Sequence, residues 1–75
     1  MSAAELRQAA EAERREWGGE INARIYGNAA AIHLALADWL DDEAGRVEMA
    51  AQEGADARLF EPALRLARLI LGGAS

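Results

Sequence analysis

His33 is the residue in this chain with the widest chemical repertoire. It is the only histidine, and histidine is the side chain most used as a general base or metal ligand. Asp38 lies five residues away, off the helical face that carries His33. A metal or catalytic role would therefore need its other groups from elsewhere, including from a neighbouring chain. Asp41, Asp42 and Glu43 form an acidic trio. They lack the alternating oxygen ligands and central glycine of a calcium loop, so a solvated acidic face is expected. The only serines are Ser2 and Ser75, both terminal, and neither sits with a histidine and an acid in a hydrolase-like turn. Cysteine and lysine are absent, which removes thiolate and Schiff-base chemistry. Gly18-Gly19 lacks the frame and the lysine of a phosphate loop. The residue types point to no catalytic site, no cofactor and no metal, hence to a non-enzymatic protein.

Three aromatic residues with a polar edge remain. Trp39 lies on an apolar helical series, so core burial is expected. Trp17 closes a helix ahead of two glycines, where it either clamps that helix or meets a partner. Tyr26 lies off the main apolar series and suits an interface edge. Such residues combine large contact area with a polar handle.

The elements that must position these groups are helical. Ser2 and Glu5 form a capping-box pattern. Leu6, Ala9 or Ala10, Glu13 and Trp17 follow at helical spacing, predicting a first helix over Ser2–Trp17 that Gly18-Gly19 stops. Ile21, Ile25, Asn28, Ile32, Ala35 and Trp39 recur at alternating steps of four and three, the period of a packed helical seam. A second helix is predicted over Glu20–Leu40, with the turn at Gly27 open. Acids are unfavourable at a helix C-terminus, so Asp41-Asp42-Glu43 argue for continuation to about Gln52, Gly45 being tolerated or kinked and Gly54 terminating. Asp56 could cap a turn over Ala57–Leu59. Pro62 suits the first turn of a last helix, Ala63–Leu71, with Phe60 packing back on Leu64. Arg14-Arg15 lie among acids, Glu11 and Arg15 at ion-pairing spacing.

The chain has 75 residues, 13 acidic and 8 basic, all the basic ones arginine, for a net charge of -5. That length allows one domain, residues 1–75, and a single small core. The acidic balance repels phosphate backbones, so nucleic acid is not expected as a partner. The alternative function, a small transcriptional or nucleic-acid-associated regulator, would have only Asn22, Arg24 and Asn28 for recognition. The start Met1–Glu5 does not read as a signal peptide. The strongest apolar stretch, Ala29–Ala37, is far short of the roughly 20 residues that span a bilayer. No membrane partner and a cytoplasmic location are expected.

The fold class is all-α: a small three-helix bundle, with a fourth segment allowed, or a helical hairpin. Leu64, Leu66, Ala67, Leu69, Ile70 and Leu71 cover nearly the whole circumference of the last helix, and a helix apolar all round must be covered from several sides. Leu34, Leu36 and Leu40 are a similar surplus on the second. Self-association into a homo-oligomer, with a dimer favoured, would complete the bundle. The candidate interface comprises Trp17, Tyr26, Leu34, Leu36, Leu66, Leu69 and Ile70.

Two blocks carry a resemblance. Asn28-Ala29-Ala30-Ala31-Ile32-His33 leads into Ala37-Asp38-Trp39-Leu40, and Pro62-Ala63-Leu64 leads through Ala67-Arg68 to Ile70-Leu71-Gly72. Together they resemble small uncharacterised helical proteins of actinobacterial phages and prophages. Members often carry a proline where Leu34 stands and a Pro-Gly-Pro-Trp stretch where this chain has only Trp17-Gly18. The resemblance implies a phage or prophage source and a host-cytoplasmic setting. It is compatible with engagement of a host protein and supplies no activity.

Overall fold

The computed structural model describes residues 3–55 and 57–72. Four α-helices follow one another: α1 (Ala3–Trp17), α2 (Glu20–Tyr26), α3 (Asn28–Glu53) and, after a short 3-10 turn at Ala57–Phe60, α4 (Glu61–Gly72). The expected all-α bundle is therefore present, with the fourth segment. The caps assigned to Ser2 and Asp56 fall outside the described residues.

Helix α1 buries one stripe, Leu6, Ala9, Ala10 and Glu13, at the spacing its sequence predicts. It lies antiparallel against α3. Arg7 donates to both carboxylate oxygens of Glu48, at 2.9 and 2.7 Å. Arg14 bridges Asp38 at 2.8 Å and Asp41 at 2.7 Å. The Arg7 guanidinium holds the Glu48 carboxyl below its ordinary value, chiefly through these hydrogen bonds. Helix α4 packs mainly on α1, where Arg68 donates to Glu5 at 3.1 Å. The acidic trio is thus not one solvated face: Arg14 pairs with Asp41, Glu43 is buried and paired with Arg46, and only Asp42 is fully at the surface.

The core is thin and rich in alanine. Leu6, Ala9 and Ala10 meet Ala37, Leu40, Ala44 and Val47 of α3 and Ala63, Leu64 and Ala67 of α4. Among the described residues, only Leu6 and Leu40 are large side chains fully removed from solvent. Small side chains let the helices approach closely, but each alanine buries little apolar area, so the hydrophobic gain is modest for this length.

Two expectations are corrected here. First, the Ile21–Trp39 series is not the packed seam. Ile21 is 73% exposed, Ile32 67% and Trp39 40%, and Ile25 is also exposed. The residues that α3 buries lie on its opposite side, at Ala30, Ala37, Leu40, Ala44 and Val47, and that row has the same alternating period. The bulky row was the stronger signal, but only the alanine row allows α1 to come close.

Second, the predicted second helix is split at Gly27. The α1–α3 pairing holds the end of α1 beside His33, on which Trp17 stacks at 4.0 Å. In an unbroken helix Glu20 would stand about 20 Å along the axis from His33 at 1.5 Å per residue, and roughly 8–10 Å to the side. The three Cα steps from Trp17 to Glu20 reach about 11 Å at most. The helix must therefore break between them. It does so where a residue without Cβ can adopt φ 50°, ψ -115°. Beyond the break α3 runs without interruption through Gly45, and Gly54 ends it in the left-handed conformation (φ 72°), donating to Ala50 and Ala51 carbonyls.

Candidate functional site

Of the residues singled out by the sequence, Trp17, Asn22, Tyr26 and His33 converge at the corner where α1, α2 and α3 meet, and Trp39 does not. The buried stripe of α1 ends on Glu13, whose side chain is only 7% exposed. His33 faces it from the first turns of α3, with Nδ1 2.6 Å from Glu13 Oε2. The two atoms share one hydrogen bond, whose donor depends on the tautomer, and Nε2 takes no part in it. Glu13 is the carboxylate that the sequence left unidentified. It comes from the same chain, twenty residues upstream, where no local spacing could reveal it.

Trp17 covers the imidazole. Its ring stacks on the His33 imidazole with 5° between the planes, and Tyr26 meets it edge-on at 5.3 Å. Asn22 secures the connection. Its side-chain amide donates to the carbonyls of Glu16 (3.0 Å) and Gly18 (2.8 Å), which the end of α1 would otherwise leave without a partner. Asn22 and Tyr26, four residues apart, thus share the side of α2 that meets the end of α1. Glu16, Trp17, Asn22 and Tyr26 line a surface depression of about 110 Å³.

A carboxylate that orients an imidazole is half of a general-base arrangement. Among the described residues there is no serine, threonine, cysteine or lysine to stand beside it, and the hydroxyl at the corner is that of Tyr26. Among the described residues no group of three or more His, Cys, Asp or Glu side chains is placed to hold a metal ion. The corner's hydrogen bonds and ring contacts tie α2 to the end of α1, and the end of α1 to the start of α3.

The candidate interface residues divide between settings. Trp17 belongs to the corner and is half-buried, and Tyr26 is exposed at its edge. Leu34 is half-buried. Leu36, Leu66 and Ile70 are half-buried against the core, and Leu69 stands free at 65% exposure beside Arg65 and Arg68. No single patch gathers all seven. The exposed apolar residues that sequence reasoning placed inside are Ile21, Ile25, Ile32 and Trp39. Met49 and Leu59, which it assigned to no apolar series, are also exposed. Of the recognition cluster Asn22, Arg24 and Asn28, the Asn22 amide is occupied as described and Arg24 pairs with Glu20 at 3.2 Å.

No protein-family model matches the chain, and no curated protein or solved structure matches it either. No helix among the described residues is long and apolar enough to cross a membrane.

Proposed function

We propose that this protein is a non-enzymatic helical interaction module that self-associates, with a dimer as its working form. One observation carries the reading: the bulkiest apolar series in the sequence, Ile21, Ile25, Ile32 and Trp39, is left in solvent while alanines fill the core. Large exposed side chains on a protein this small favour association, because burying each contributes about 1.5–3 kcal/mol. The anchored corner supports the same reading, since it fixes α2 and α3 relative to each other and so presents their outer faces as rigid surfaces.

The resemblance to small phage and prophage proteins extends the proposal to a second partner, a host protein met in the host cytoplasm. Light scattering on the eluting protein, loaded at increasing concentration, tests the first part. A mass that rises with concentration supports it, and a monomer mass at every loading refutes it. Capture from host lysate by the wild-type chain, lost on substitution of the exposed isoleucines, tests the second.

A further inference from the structure

The outer face of α3 is self-complementary. Trp39, Asp42, Arg46 and Met49 all lie on it and all are exposed. Their spacing is three, four and three, which keeps them on one helical row and reads the same from either end. The row is apolar, acidic, basic, apolar. Laid antiparallel on a second copy and centred near residue 44, it sets Asp42 of each copy against Arg46 of the other. It also sets Trp39 of each against Met49 of the other, a favourable pairing of thioether and ring. Trp39 to Met49 spans about 15 Å, within the length of α3.

Two further features fit this arrangement. Asp42 has no ion-pair partner among the described residues, although its acidic neighbours are both paired. Arg46 spends one donor on Glu43 and has others to give. Gly45 lies in the middle of a continuous helix, where glycine is disfavoured. A Cβ there would meet nothing within 4 Å. Nothing inside the subunit requires this glycine. In the antiparallel pairing Gly45 of the two copies would flank the two-fold axis, where a missing Cβ lets the helices close up.

We infer that the second copy binds along α3, through two symmetric Asp42–Arg46 pairs flanked by Trp39–Met49 contacts. Sliding the copies by one heptad would set Asp42 against Trp39 and leave the carboxylate unpaired. The apolar area on this row is small, so the dimer is transient and salt-sensitive rather than obligate. This inference rests on the proposed self-association and assigns it a contact on α3 that takes Trp39 from the exposed apolar series and leaves Ile21, Ile25 and Ile32 outside it.

The experiment is sedimentation velocity on the wild-type chain, D42R, R46D, an equimolar mixture of those two, and G45L, with helix content checked by circular dichroism. D42R alone opposes guanidinium to guanidinium and R46D alone opposes carboxylate to carboxylate. Each is expected to self-associate about tenfold or more weakly than wild type. The mixture restores both pairs and is expected to form a heterodimer close to wild-type affinity. G45L keeps its helix and associates more weakly. Should R46D lose its fold with the Glu43 pair, D42R and G45L decide. If the wild type dimerises while D42R and G45L match it, the α3 surface is wrong and self-association stands. If the wild type stays monomeric throughout, both are wrong.

Discussion

Trp39 and Leu40 are adjacent in sequence and opposite in role, and replacing each by alanine separates the two possible cores. Leu40 is fully buried in the core that α3 shares with α1 and α4. Truncating a leucine in such a place costs about 2–5 kcal/mol, the spread depending on how far the site collapses. A 75-residue domain has a total stability of roughly 4–11 kcal/mol at the usual 0.05–0.15 kcal/mol per residue. Leu40→Ala therefore removes a large part of the stability and moves the unfolding midpoint to much lower denaturant. Trp39 is on the outer row, and Trp39→Ala is expected to change monomer stability by about 1 kcal/mol or less. Urea denaturation followed at 222 nm, at a concentration low enough to keep the protein monomeric, measures both. Equal losses, or a larger loss for Trp39, would place the core on the wrong side of α3.

The two glycines within the predicted second helix should respond to alanine with opposite signs. Gly45→Ala should raise monomer stability by up to about 1 kcal/mol, because the helix gains a better former and the Cβ meets open space; thermal melting reads the shift. Gly27→Ala should lower it by about 1–3 kcal/mol, because an L-residue is strained at φ 50°; the same melt shows the fall. The Arg7–Glu48 clasp should weaken in acid. Its carboxyl is lowered in the folded state, so its contribution is present above the unfolded carboxyl value and is lost as pH falls through the folded one. Glu48→Gln should therefore flatten part of the stability loss at acid pH in a pH series of melts, and an unchanged acid limb would contradict it.

Much of the fold was legible because α1 and the last helix obey local rules. The stripe Leu6, Ala9, Ala10 and Glu13 lies where helical spacing puts it, and Gly54 stops α3 as a left-handed cap. Two matters were not local. Helix α3 carries two rows of equal period, and side-chain bulk favoured Ile32 and Trp39 over Ala30, Ala37 and Ala44. What decides between them is the close approach of α1, which periodicity does not contain. The break at Gly27 follows from the shortness of the Gly18-Gly19 link, and only once Trp17 is known to reach His33. The Glu13–His33 pair was hidden for the same reason, since two helices had to be placed before a carboxylate twenty residues away became a neighbour. Among the candidate interface residues, Leu36, Leu66 and Ile70 are half-buried against the core, a difference from the free Leu69 that helical spacing does not contain.

Sedimentation equilibrium on the unmodified chain, from about 1 µM to about 1 mM across the range expected of transient contacts, bears most directly on the claim that this protein works as an associating module. The weight-average mass should begin at 8.0 kDa and climb toward twice that value, with the climb suppressed by added salt. A mass fixed at that of one chain over the whole range would contradict it.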